Sequence, residues 1–268
     1  MHTSDAPPPW IEVQHVRWRY AETSHWVLDD VTFGVRRGSF VSILGPSGCG
    51  KSTLLRLLAG LLTPTVGEVQ VGGQPAVLAR RGGVRMAFVF QDPTLLPWRT
   101  VAANVTLPLE LQRWGLRDER RQRMQRALQQ VGLSLADWAK RPRELSGGMR
   151  MRVSLARALV TQPELIFLDE PFAALDDVLR QQLQEELGTW WRDGGWTAIF
   201  VTHNIAEAVF LSEQIVIMGA QPGRVAATIT LAEPAPRPAE WRGTADYARY
   251  LAEVSRQLRA AARRGEST

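Results

Sequence analysis

The chain has 268 residues, 45% of them hydrophobic and 22% charged, with a formal net charge of +5, enough for one large domain or two lobes around a sizeable core. No stretch approaches the roughly 18–20 uninterrupted apolar residues of a membrane-spanning helix, and the opening MHTSDAPPPW lacks the basic start and apolar run of a signal peptide, so a cytoplasmic protein that meets a membrane only through a partner is expected. The single cysteine, Cys49, excludes an internal disulfide and a cysteine-built metal site; the positive charge is thinly spread and mixed with acids, as over 117–126, which makes nucleic acid an unexpected partner.

In chain order, Ile11–Tyr20 and Val31–Val35 alternate polar and apolar residues, as half-buried strands do. Phe40–Leu44 is a short apolar run ending in a glycine-rich turn, the pattern of a buried strand that feeds a helix. That helix, predicted over Lys51–Leu61, is apolar on nearly all sides and belongs inside. Val66–Val71 and Met86–Phe90 follow as strands. From Asp92 to about Gln162 the character changes. Pro93 and Pro97 break the chain, and helical periodicity then runs over Val101–Leu111, Asp118–Val131 and Gly148–Thr161, which predicts an inserted helical lobe.

Leu165–Leu168, Thr197–Thr202 and Ile215–Met218 are short apolar runs separated by helical stretches, as in a parallel sheet of strand–helix units. A proline-rich segment, AEPAPRP at 232–238, closes the domain. Beyond it, Tyr247, Leu251, Val254 and Leu258 place one apolar stripe on a basic helix from about Thr244 to Arg264, expected to pack back on the core.

The run Gly45-Pro46-Ser47-Gly48-Cys49-Gly50-Lys51-Ser52-Thr53 is the GxxxxGK[ST] phosphate loop, set between a predicted strand and helix. Its glycines let successive backbone N–H groups turn inward on phosphate oxygens, and the helix that follows adds its positive end. Lys51 reaches the β- and γ-phosphates, and the Ser52 hydroxyl can ligate Mg²⁺. Cys49 reads as a small filler of the loop. Leu165–Leu168 ends in Asp169-Glu170, a rigid mount for a Mg²⁺ partner, Asp169, and one residue on for a carboxylate, Glu170, that polarises a water for in-line attack.

Leu145-Ser146-Gly147-Gly148-Met149-Arg150, just ahead of that acidic strand, narrows the class. With it the chain resembles the nucleotide-binding domain of the ABC ATPases, whose signature is LSGGQ, over about residues 10–231. Met149 replaces the family's Gln, so no amide contact is available there. The LSGGM variant, with Gln91-Asp-Pro-Thr-Leu-Leu-Pro-Trp98-Arg-Thr-Val-Ala-Ala-Asn104-Val105 and Pro222-Gly223-Arg224, is similar to the importer ATPases for nitrate, sulfonates and taurine.

The resemblance implies an α/β fold: a P-loop NTPase (RecA-like) core with an antiparallel β subdomain and an inserted helical subdomain. It divides the chain into 10–91, the first part of the core with the β subdomain; 92–162, the helical subdomain; 163–235, the second part of the core; and 236–268, a helical extension. It implies a homodimer that sandwiches ATP and Mg²⁺, with Ser146 and Gly148 of one subunit closing over the γ-phosphate held by the other. Tyr20 matches the aromatic that stacks on adenine, with Trp18 and Trp26 as substitutes. Gln91 matches the glutamine that touches Mg²⁺ and the attacking water, Asp176 ends the segment that crosses the dimer interface, and His203 matches the histidine on the γ-phosphate. The implied partners are integral membrane permease subunits, whose groove would include Trp98 and Asn104, and an extracytoplasmic solute-binding protein. The implied location is peripheral, on the cytoplasmic face of the inner membrane. A soluble ABC-type ATPase outside transport is the alternative.

Overall fold

The computed structural model describes residues 8–265. The strands β1 (Ile11–Trp18), β2 (Leu28–Val35), β3 (Phe40–Leu44), β4 (Val66–Val71), β5 (Gln74–Pro75), β6 (Met86–Val89), β7 (Leu165–Asp169), β8 (Thr197–Thr202), β9 (Gln214–Met218) and β10 (Val225–Thr230) form two sheets. The smaller is antiparallel, in the order β2-β1-β4-β5; the larger has the order β10-β9-β3-β8-β7-β6, parallel except at β10. The main helices are α1 (Lys51–Leu58), α2 (Val101–Leu111), α3 (Arg117–Gln130), α4 (Gly147–Leu159), α5 (Asp177–Gly194), α6 (Ile205–Leu211) and α7 (Ala245–Gly265).

β3 and β8 are buried along their whole lengths, as strands covered on both faces must be. Because side chains alternate across a strand, one sheet supplies two cores. Val41 and Ile43 of β3, Leu165 and Phe167 of β7, and Ile199 and Val201 of β8 pack with α1 and the smaller sheet. Their neighbours Phe40, Leu44, Ile166, Leu168, Ala198 and Phe200 pack under the helices on the other side.

The helix boundaries follow local chemistry. α1 stops at Leu58, three residues short of the predicted end, where Gly60 takes a positive φ of 62°. Thr100 opens α2 by accepting from the Ala103 N–H at 3.2 Å; Glu119 reaches back to the Leu116 N–H at 2.7 Å ahead of α3. Each satisfies a donor that a helix start leaves unpaired. The predicted strands at 11–20 and 86–90 are shorter, and β2 starts three residues earlier than the alternation indicated.

The C-terminal segment packs on the core as expected: Tyr247, Tyr250, Val254 and Ala261 of α7 are buried, and Leu251 and Leu258 are partly buried against them. Arg237 anchors the segment ahead of α7. It is buried, and it donates to the carbonyls of Val209, Phe210 and Ser212 at 2.9–3.0 Å and to that of Glu233 at 2.6 Å. Its guanidinium therefore serves the open C-terminal end of α6; burial lowers its pKa to about 10.

Candidate functional site

Parallel pairing decides where the site forms. β3 and β8 pair through Leu44 and Thr202, and β8 and β7 through Val201 and Asp169. The segments after these strands therefore leave the sheet side by side at the carboxyl ends of the strands, the usual place for a ligand crevice in an open α/β sheet. The phosphate loop, Asp169-Glu170 and His203 all arise there.

A cleft of about 430 Å³ opens at this end of the sheet, lined by Tyr20, Val27, Ser47, Gly48, Gly50, Lys51, Ser52, Thr53, Glu170 and Gln221. Gly50 precedes α1 with φ +95°, and a Cβ on it would lie 2.7 Å from Leu28 Cδ2, so only glycine suits this turn. Lys51 is buried, and its Nζ donates to the carbonyls of Gly45 at 2.9 Å and Pro46 at 3.0 Å. The ammonium thus waits against the loop backbone rather than in solvent. Cys49 is buried in the same loop, and burial pushes its thiol above the ordinary range, in keeping with a filler.

Ser52 Oγ donates to Asp169 Oδ1 at 3.3 Å. Burial pushes the Asp169 carboxyl up, the Ser52 hydrogen bond opposes this, and the Glu170 charge adds to the rise. Glu170 sits at φ 47°, its N–H held by the Val201 carbonyl at 2.9 Å, and its Oε2 lies 3.0 Å from His203 Nδ1. A non-glycine residue in that region costs of order 1–3 kcal/mol and is a recurrent feature of functional sites.

Tyr20 is 54% exposed and faces the cleft, braced edge-on by Trp18 at 4.6 Å between ring centroids. Trp18 itself is buried, and Trp26 carries the guanidinium groups of Arg17 and Arg19 at 4.8 and 4.9 Å from its ring. Of the three aromatics, only Tyr20 lines the cleft.

Three candidates lie outside the cleft and close to one another. Ser146 caps α4, its oxygen accepting from the Met149 N–H at 3.2 Å, and Asp176 caps α5 by accepting from Leu179 at 3.0 Å. Gly148 joins the two caps: a Cβ there would lie 2.3 Å from Leu179 Cδ2. None of these three lines the cleft of its own chain. Gln91, two residues past β6, is exposed and stands outside the cleft. Trp98 is 69% exposed, but Asn104 is fully buried. Its side chain accepts from the Leu96 N–H and donates to the carbonyls of Leu96, Arg99 and Thr100, so it pins the loop from inside and does not line a groove as expected.

Sequence reasoning missed Gln221, which donates to the Gly48 carbonyl at 2.9 Å. Pro222-Gly223-Arg224 marks a turn but not that it folds back on the phosphate loop. It also missed Arg180 and the buried Glu207, which lie outside every motif.

A family model described as "ABC transporter" matches residues 28–173. The chain is 43% identical over 226 residues to the nitrate import ATP-binding protein NrtD of Synechococcus elongatus, covering 83% of this chain and 80% of that one. It is 42% identical over 211 residues to the aliphatic sulfonates import ATP-binding protein SsuB of Bacillus licheniformis, covering 79% and 80%. Among solved structures, the dimeric ATP-binding cassette MJ0796 in a post-hydrolysis state, bound to ADP and Pi, superposes with a TM-score of 0.72 at 32% identity, covering 84% of this chain and all of that one. With a nucleotide cleft of this make-up, a family model across more than half its length and relatives above 40% identity, the chain belongs to the ABC transporter family, among its ATP-hydrolysing subunits.

Proposed function

We propose that two copies of this chain enclose two MgATP between them and hydrolyse it to drive uptake of nitrate, a sulfonate, taurine or a similar small solute through a membrane permease. The observation that carries the reading is the 3.0 Å contact of Glu170 Oε2 with His203 Nδ1 beside the phosphate loop. A carboxylate held there can take a proton from an attacking water, and an imidazole beside it can meet the γ-phosphate. Lys51 and the loop backbone bind the β- and γ-phosphates, Gly45 to Thr53 cradle them, and Tyr20 stacks on the adenine.

The donor set fits a small hard cation: the Ser52 hydroxyl and the Asp169 carboxylate, both oxygen ligands, face each other at 3.3 Å, and Gln91 would add a third oxygen. Bound Mg²⁺ would offset phosphate charge. The position of Ser146, Gly148 and Asp176 outside the cleft of their own chain supports a two-chain site, because the Ser146 hydroxyl and the N–H groups of a helix start can donate to a partner's γ-phosphate. The same reading assigns 92–162 to a helical subdomain inserted between core segments 10–91 and 163–235, with 236–268 as an extension. It places the chain on the cytoplasmic face of the inner membrane, with an extracytoplasmic solute-binding protein as the more distant partner.

Reconstitution with the permease in vesicles tests this. ATP-dependent uptake of one of these solutes is expected, and Gln91→Ala should bind ATP normally while less solute moves per ATP. Purification free of any permease, with hydrolysis but no uptake, would favour a soluble ABC-type ATPase.

A further inference from the structure

Arg180, on the first turn of α5, and Glu207, on α6, close a circuit around the Glu170–His203 pair. The Arg180 guanidinium donates from Nη2 to the Leu175 carbonyl at 2.6 Å and from Nε to the Phe172 carbonyl at 3.3 Å, and Nη1 holds Asp177 Oδ1 at 2.7 Å. The same Nε lies 3.6 Å from Glu207 Oε1. Glu207 is 4% exposed, and its Oε2 accepts from Thr202 Oγ1 at 2.5 Å. The Thr202 oxygen in turn accepts from the Asn204 N–H at 3.0 Å, and the Asn204 side chain accepts from the N–H groups of Ala206 and Glu207. His203 lies between the two residues so fastened, and Glu170 begins the segment whose carbonyls Arg180 grips.

We infer that Arg180 and Glu207 are positioning residues for hydrolysis: their ion pair sets segment 171–176 against the turn 202–204 and so holds Glu170 and His203 at contact distance. This rests on the reading of Glu170 and His203 given above. Packing alone does not require the charges, since apolar residues of similar volume replace buried ion pairs at little cost or with a gain. What the charges add is direction. A planar fork that meets two carbonyls and two carboxylates together is tightly restricted in its arrangement. A shift of Glu207 passes through a single hydroxyl to the peptides that flank His203.

Two variants test this. Glu207→Gln keeps the size and the acceptor for Thr202 but removes the charge facing Arg180; Arg180→Lys keeps the charge but loses the fork. Turnover, KM for MgATP, affinity for a fluorescent ATP analogue and melting temperature are measured for each, alone and combined with His203→Ala. Turnover should fall about 10- to 100-fold, the scale of a small misplacement of reacting groups, with KM and affinity little changed. In the His203→Ala background neither variant should cost more. Wild-type turnover in a folded variant, or losses that add in full to that of His203→Ala, would overturn the inference. So would failure of both variants to fold, which would assign the pair to core stability. If His203→Ala itself turns over normally, the reading of His203 falls and this inference with it; if His203→Ala is impaired and the two variants are not, the inference falls alone.

Discussion

His203 Nδ1 lies 3.0 Å from Glu170 Oε2 although the residues are 33 positions apart, because β7 and β8 are parallel neighbours that release their chains at the same end of the sheet. The contact holds a carboxylate whose residue also lines the cleft beside the phosphate loop.

Glu170→Gln should keep the shape of this contact and remove the base. Turnover is expected to drop by about 10²–10⁴-fold, the usual share of a general base. Loss of a negative charge next to the γ-phosphate should also favour the closed state, so the variant accumulates as an ATP-dependent dimer on size-exclusion chromatography. Adding Ser146→Arg should abolish that dimer by placing a long side chain on the face that meets the partner's nucleotide. A Glu170→Gln protein that hydrolyses normally, or stays monomeric with ATP bound, would refute the two-chain site.

Lys51→Ala removes the one ammonium lining the cleft. ATP binding should weaken sharply and phosphate release should fall to background. Turnover near wild type would contradict the assignment of the phosphate loop.

Tyr20→Ala should weaken ATP binding by about 1–3 kcal/mol, the range for a base stacked on an aromatic ring, with thermal stability nearly intact because Tyr20 is exposed. Trp18→Ala is expected to lower stability first, since Trp18 is buried. Isothermal titration with ATP separates the two, and an affinity loss confined to Trp26→Ala would show that the wrong aromatic has been chosen.

Asp29 ties the smaller sheet to the turn before β10 through Arg17 and Arg224. Burial alone would raise its carboxyl, but hydrogen bonds from Arg224 and Arg17 outweigh this and hold it below the ordinary carboxylate range. The folded-state pKa is thus the lower one. Its contribution is complete above the unfolded value of about 3.9 and disappears as pH falls through the folded value. Asp29→Asn should cost about 1–3 kcal/mol at pH 7 and less at acid pH; an equal loss in denaturant melts at both would argue against the linkage.

Removal of residues after Pro238 should lower the melting temperature, because Trp241, Tyr247, Tyr250 and Val254 are buried. Trp241→Ala alone should cost about 3–5 kcal/mol, as truncation of a large buried aromatic does. A truncated chain with unchanged melting and altered ATPase regulation would assign the segment to control instead.

What the sequence determined by itself was local. Gly45 to Thr53 could be read as a phosphate cradle because successive N–H groups in one turn do the binding, so spacing carries the chemistry. The parallel sheet was legible in Phe40–Leu44, Leu165–Leu168 and Thr197–Thr202, whose predominantly apolar character belongs to strands covered on both faces. Tertiary structure alone decided which groups from different segments meet. Asn104 looked available for a groove but is buried, because a polar side chain gives no local sign that four hydrogen bonds hold it inside. Arg180 and Glu207 sit on ordinary amphipathic helices, and only the packing of α5 beside α6 makes them partners. Arg237 in AEPAPRP reads as a linker residue until the chain returns across the end of α6 and offers it three open carbonyls. Periodicity reports which face of an element is buried, whereas a hydrogen bond between distant segments depends on strand order and helix placement, which no single stretch of chain contains.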